Sequence, residues 1–188
     1  MKTYLLPSIK ITVILLVIVS GIYPLLIAGI GKFTPGHGDG ETVTLNGKVV
    51  GYANVGQKFT KDEYFWSRPS AADYKADASA GSNKGPTNPD YLKDVSKRID
   101  TFLKHNPDVT RGEIPAELVT ASGSGLDPDL SPAGAKIQVP RIAKVRNIPA
   151  GQLYQIINNN TEKPLLGLFG PAKVNVLKLN VALEELKK

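Results

Sequence analysis

The stretch ITVILLVIVSGIYPLLIAGI, Ile11 to Ile30, decides the architecture: 20 residues without a charge, thirteen of them Ile, Leu or Val. As a helix rising about 1.5 Å per residue it is about 30 Å long, the thickness of a bilayer's hydrocarbon core. On the insertion scale those thirteen side chains contribute about −4 to −8 kcal/mol, with no charged residue opposing them. A surface helix of a soluble domain shows a polar face. This one has none. The rival reading is a cleavable signal peptide, but its apolar region is shorter, and Leu26-Ile27-Ala28-Gly29-Ile30 lacks a small-x-small cleavage pattern. The stretch therefore reads as an uncleaved transmembrane helix.

Outward from it, residues 1–10 form a short N-terminal segment, 31–40 a Gly- and Pro-bearing linker, and 41–188 a domain large enough for its own core. Lys2, Lys10 and the amino terminus lie on one side of the span, against Lys32 alone on the other. That asymmetry predicts a cytoplasmic N-terminus and an extracytoplasmic domain. Within the span, Gly21, Tyr23 and Pro24 mark a kink or close-packing point. One reading is a proline tolerated in lipid; the other is that the freed backbone and the tyrosine face another helix of a larger assembly.

Composition excludes several function classes. The chain carries net charge +6, but without Lys2, Lys10 and Lys32 the balance is 20 basic against 17 acidic residues, an ordinary mix without a nucleic-acid stripe. With no cysteine there are no disulfides, catalytic thiolates or zinc-thiolate sites. There is no G-x-x-x-x-G-K-[S/T] phosphate loop, and the Asp-Lys-Thr-Gly-Thr phosphorylation sequence of P-type ATPases is missing. His37, in the linker, and His105, at a helix end, are far apart, which favours solvated or structural roles.

The domain's local signals are mixed. Thr42 to Tyr52 reads as a β-hairpin turned by Asn46-Gly47. Tyr64-Phe65-Trp66 reads as local core rather than a ligand cage, and Ala78 to Pro89 as an ordered polar loop. Asn88-Pro89 opens a helix with Leu92, Val95, Ile99, Phe102 and Leu103 on one stripe. Ser131-Pro132 opens a second, with Ile137, Ile142 and Val145, which Pro140 breaks near Gln138. Pro149 starts a third, burying Leu153, Ile156 and Ile157; Val176, Leu179, Leu183 and Leu186 fit a last one, although Val174 to Leu177 also fits the start of a strand. The predicted fold class is α+β: one N-terminal transmembrane helix followed by a single mixed α+β extracytoplasmic domain.

The most suggestive motif is Thr120-Ala121-Ser122-Gly123-Ser124-Gly125-Leu126-Asp127-Pro128. It resembles a nucleophile elbow only loosely, because Ser122 stands where G-x-S-x-G requires glycine before Ser124. Its successive amides also suit an anion-binding nest. The plainer reading is a tight, self-hydrogen-bonded turn, with Asp127 and Asp129 setting the bend rather than holding a cation. The sequence offers no catalytic constellation and no metal site. A membrane-anchored exported serine hydrolase using Ser122 or Ser124 with Asp127, and a membrane-anchored ligand-binding protein, are the alternatives in other function classes.

Several motifs taken together resemble one family. They are Gly21-Ile22-Tyr23-Pro24-Leu25, Phe65-Trp66-Ser67-Arg68-Pro69-Ser70-Ala71, Gly81 to Pro89, Leu118 to Pro128, Gln138-Val139-Pro140-Arg141-Ile142-Ala143 and Val174 to Leu183. In this order they look like the C subunit of the Kdp potassium-transporting P-type ATPase. One departure is Asp129, where the family pattern suggests His after Asp-Pro. The resemblance implies a non-catalytic accessory subunit in the bacterial inner membrane. Its partners would be a K⁺-conducting subunit, an ATP-hydrolysing subunit and a small hydrophobic subunit, with no nucleic acid. It further implies a role in assembly and as a catalytic chaperone raising ATP affinity. ATP and K⁺ would be used by the complex, with no cofactor tightly bound to this chain. Ser122, Gly123, Ser124, Gly125 and Gln138 are the positions carried over for nucleotide or partner contact. The lysine asymmetry pulls the other way, since an outer domain cannot reach cytosolic ATP and would instead cap the mouth of the K⁺ path. Both readings stay open at this level.

Overall fold

The computed structural model describes residues 2–186. The chain divides into two compact units, one up to Thr42 and one from Val43 onward. The first is built on α1 (Lys2–Val17), a wide π turn (Ile18–Ile22) and α2 (Tyr23–Gly31). Tyr4–Gly31 is long and apolar enough to cross a membrane, with none of it buried. The helix thus starts well before the uncharged run, taking in Pro7 and Lys10. The π turn has an identifiable cause. Pro24 has no N–H to donate, and its ring crowds the carbonyl four residues back. The backbone widens just ahead of it, and Tyr23 N–H bonds to Ile18 O in the five-residue pattern of a π turn. Beyond Gly31 the chain folds into successive turns, in which His37 Nδ1 lies 3.0 Å from Lys32 O.

The second unit is mixed helix and sheet. Strands β1 (Thr42–Leu45) and β2 (Lys48–Tyr52) form a two-stranded sheet. Asn46 and Gly47 both sit at positive φ, 52° and 76°, as the two-residue turn requires. A three-stranded antiparallel sheet has the order β3-β5-β4, from β3 (Asp129–Leu130), β4 (Thr161–Glu162) and β5 (Lys173–Asn175). Its register pairs Leu130 and Thr161 with Val174.

Among the described residues, five α-helices and two single-turn 3-10 helices, Arg111–Glu113 and Ala116–Leu118, complete the unit. In α3 (Pro89–His105) the Asn88 side chain accepts from Tyr91 N–H at 3.1 Å, and Lys104 and His105 occupy the last turn, where cations suit the helix dipole. Of its apolar stripe only Phe102 is fully buried, and Leu92 is exposed. The first turns of α3 lie outside the core, so the stripe buries progressively towards the C-terminal end. The segment after Ser131 forms two helices, α4 (Pro132–Lys136) and α5 (Val139–Arg146), parted at Ile137-Gln138 just before Pro140. Ile142 is buried and Val145 exposed. α6 (Ala150–Asn159) follows Pro149 and buries Leu153, Ile156 and Ile157. The strand reading of 174–177 holds only for Val174 and Asn175, which lie in β5; Asn175 caps the next helix through Lys178 N–H at 3.0 Å, and α7 (Val176–Glu185) takes Val176 and Leu177. Leu186 stands exposed beyond its end.

The main core gathers Phe65, Phe102, Leu130, Ile142, Leu153 and Leu179 with their neighbours, and Tyr64 and Trp66 pack against it. The aromatic triplet is core. A smaller cluster of Val43, Ala53 and Leu177 seats the hairpin on α7.

Candidate functional site

The Ser122–Gly125 turn is built from its own side chains. Ser122 is buried, and its Oγ accepts from Gly125 N–H at 2.9 Å; Ser124 Oγ accepts from Leu126 N–H at 3.0 Å. The amides that make a nest are thus partly taken up by the hydroxyls that precede them. Longer-range contacts fix the turn in place. Ser122 N–H donates to Pro69 O at 3.2 Å, Ser70 Oγ to Gly125 O at 2.6 Å, and Ser79 Oγ to Ser124 O at 2.9 Å.

Two glycines are required by close approach. Gly125 has φ of +70°, and a Cβ there would lie 2.6 Å from Ala80 O. At Gly56, whose N–H donates to Leu126 O at 2.7 Å, a Cβ would lie 2.5 Å from Asp127 O. The polar loop of 78–89 and the Ser-Gly turn therefore run against each other, and Gly81 faces Gly123 O in the same way.

Downstream of the turn, Asp127 Oδ1 accepts from Asp129 N–H at 3.0 Å and Oδ2 from Arg68 Nη1 at 2.7 Å. Asp129 Oδ2 holds Lys173 Nζ at 2.8 Å, with Glu162 also near at 3.5 Å. The hydrogen bond to Asp129 raises the Lys173 pKa above its ordinary value against the smaller opposing effect of partial burial, with lesser support from the charges of Asp129 and Glu162. Arg68, Asp127, Asp129 and Lys173 line an open pocket of about 320 Å³, with Leu130, Pro171 and Ala172 on its wall. Asp127 and Asp129 are set by a turn and by cationic partners. Among the described residues no three His, Asp or Glu side chains converge as metal ligands.

Neither serine of the turn has an imidazole or carboxylate as a hydrogen-bond partner among the described residues. The two histidines are engaged elsewhere, His105 with Asp62 at 2.7 Å and His37 in its own turn. The turn's own hydrogen bonds give it shape and rigidity.

Gln138 has a different setting from the turn. It is fully buried, its Oε1 accepting from Trp66 N–H at 2.8 Å and Arg141 Nη2 at 2.7 Å, while Nε2 donates to Trp66 O at 3.3 Å and Gly134 O at 3.0 Å. No hydrogen bond among the described residues joins it to the Ser122–Gly125 turn. Asn180 does the same for Phe65, accepting from its N–H at 2.9 Å and donating to its carbonyl at 3.0 Å. Two arginines on α5 complete the fixation. Arg141 stacks 4.7 Å from the Trp66 ring and donates to Asp62 O at 2.6 Å and Asn106 Oδ1 at 3.0 Å. Arg146 stacks 4.9 Å from Tyr64, donates to Glu63 O at 2.7 Å and pairs with Glu184. Burial lowers the Arg141 pKa to about 10, against a smaller opposing pull from Asp62, so it stays charged at neutral pH.

The clamp of Asn180, Arg141 and Arg146 is what sequence reasoning did not anticipate. A lone amide inside the apolar run of α7 was the available signal, since a buried polar side chain must find partners. Beside the clamp, Phe59, Trp66, Phe102, Lys97 and Arg98 line an open cleft of about 230 Å³. In the membrane-spanning helix, nothing lies within 4 Å of where a Gly21 Cβ would be, and Tyr23 is exposed.

Residues 5–185, the helix and the domain alike, match the family described as K⁺-transporting ATPase, c chain. The chain belongs to that family. It is 56% identical to the potassium-transporting ATPase KdpC subunit of Bacteroides fragilis strain YCH46, over all of this chain and 99% of that one. Identity to the KdpC subunit of Bacteroides thetaiotaomicron is 54%, covering both chains in full. The KdpC subunit of Caldanaerobacter subterraneus subsp. tengcongensis is 45% identical over 96% of this chain and 95% of its own. Likeness at this level, across membrane helix and domain together, makes the c-chain family the frame for reading the site.

Proposed function

We propose that this chain is an accessory subunit of an ATP-driven potassium uptake complex, needed for its assembly and without independent catalysis. One observation carries this: the family match runs unbroken through the apolar helix and the domain. The chain is a single-pass protein of the bacterial inner membrane, its N-terminus cytoplasmic and its domain outside, as the placing of Lys2 and Lys10 against Lys32 favours. There it caps and steadies the mouth of the K⁺-conducting subunit, beside the ATP-hydrolysing and small hydrophobic subunits. The internally bonded Ser122–Gly125 turn, braced by the 78–89 loop, supports a rigid docking edge.

A second reading makes the chain a chaperone that raises the ATP affinity of the hydrolysing subunit through nucleotide contact. What favours it is the cleft where Trp66 and Phe59 stand beside Lys97 and Arg98, aromatic faces next to cations. Protease digestion of sealed, right-side-out cells separates the two. Cleavage of the 78–89 loop from outside is expected, and protection would favour the nucleotide reading. Deletion of the gene is expected to abolish growth at micromolar potassium; normal growth there would overturn both readings.

A further inference from the structure

Between Lys163 and Lys173 the sequence Pro164-Leu165-Leu166-Gly167-Leu168-Phe169-Gly170-Pro171-Ala172 carries no charge and no polar side chain. It projects as a short closed finger, with Leu165 and Phe169 paired in an isolated antiparallel bridge. Its four large apolar side chains are 69%, 82%, 81% and 63% exposed at Leu165, Leu166, Leu168 and Phe169. Outside the membrane-length helix, these are the most exposed large apolar side chains described after Phe33. Leu166 also holds a left-handed backbone, φ +54°, which a branched side chain adopts only at a cost. The fold thus keeps a strained, apolar tip in the open.

We infer that this finger inserts into the lipid headgroup and upper acyl region of the bilayer to which the chain is anchored. Three observations favour lipid over a protein groove. First, the tip offers no polar side chain to specify a partner, and a fluid apolar surface demands none. Second, part of its backbone is already paired within the loop, which leaves the Leu166 and Gly170 N–H groups, without a partner among the described residues, to the wet headgroup layer. Leu165 N–H donates to Phe169 O, Phe169 N–H to Leu165 O, Gly167 N–H to Pro164 O and Leu168 N–H to Leu165 O, at 2.9 to 3.1 Å. Each such internal pair lowers the cost of taking main-chain groups out of water. Third, exposed Lys163 stands at the base of the finger, placed to meet a lipid phosphate as the tip enters, while Lys173 on the other side is held by Asp129 and Glu162. This contact needs only an anchored chain, whatever subunits it serves.

The sequence contains no cysteine, so Leu168→Cys gives a single attachment point for an NBD fluorophore. The full chain is reconstituted into phosphatidylcholine–phosphatidylglycerol vesicles, with labelled Asp108→Cys as the comparison. A blue shift at residue 168 is expected, with quenching by nitroxide lipids labelled near the headgroup at least twofold stronger than at residue 108. Adding Leu166→Asn and Phe169→Ser is expected to abolish that excess while thermal stability holds, since asparagine tolerates positive φ; retained quenching overturns the contact. Label that stays unquenched in a chain resisting carbonate extraction overturns the finger and keeps the anchor, whereas extraction of the chain overturns both. A shift seen only after co-reconstitution with the larger subunits assigns the finger to a protein groove and overturns lipid insertion.

Discussion

Phe65 and Trp66 sit in an irregular segment, yet their main-chain groups are as fully paired as a strand's, because Asn180 and Gln138 each bond both the N–H and the carbonyl of one residue. Asn180→Leu keeps the volume nearly constant and strips both partners from Phe65, whose side chain is wholly buried. Each orphaned buried group costs about 1–3 kcal/mol, so a loss of about 2–4 kcal/mol is expected in denaturant unfolding of the detergent-solubilised chain. A change below about 0.5 kcal/mol would show that water replaces the amide. Tyr74 gives a pH signature at the same scale. Burial, reinforced by Asp73, raises its pKa to about 12, and its hydroxyl donates to Arg68 O. The unfolded chain loses this proton near the ordinary value of 10 while the folded chain keeps it. The contribution is therefore intact below pH 10 and is lost as pH rises through about 12. Thermal melts across that window should fall in midpoint, and Tyr74→Phe should flatten the fall; an equal slope in both would place the alkaline sensitivity elsewhere.

At the level of elements, what the sequence made legible was whatever a local rule governs. Asn88 and Ser131 cap their helices, Pro140 parts α4 from α5, and Asn46-Gly47 turns the hairpin, each through contacts within four residues. The strands β3, β4 and β5 are two or three residues long, too short to display a period, and exist because distant segments meet. The Ser-Gly turn was legible as self-bonded, but its bracing was not. Pro69, Ala80 and Gly56 reach it from far along the chain, and no spacing rule connects them. Gly125→Ala tests that bracing, since it imposes a Cβ on positive φ and pushes it against the Ala80 carbonyl. The backbone strain alone is about 1–2 kcal/mol. Limited proteolysis should then cut within 78–89 several-fold faster than in the unmodified chain. Unchanged cleavage would mean the two loops are held independently.

For the whole molecule, the question is what the membrane helix does besides anchoring. Its span is apolar all round, so lipid alone satisfies it and gives no reason for a widened turn at a fixed place. Pro24 explains why the backbone opens at Ile18–Ile22, and Gly21 lies inside that opening with vacant space where a Cβ would sit. Small residues let helix backbones approach closely in lipid, where packing and backbone contacts replace the hydrophobic effect as the source of association. If the Gly21 face receives another helix of the complex, Gly21→Leu fills the approach while leaving this chain's own contacts untouched. The variant should insert normally and keep the same melting temperature in detergent. It should also co-purify with the larger membrane subunits at least tenfold less, a loss of about 1.4 kcal/mol in association. Gly21→Ala, adding a single methyl, should fall between. Co-purification that is equal in all three would leave Pro24 as a proline merely tolerated in lipid, and would shift the binding of the complex onto the domain.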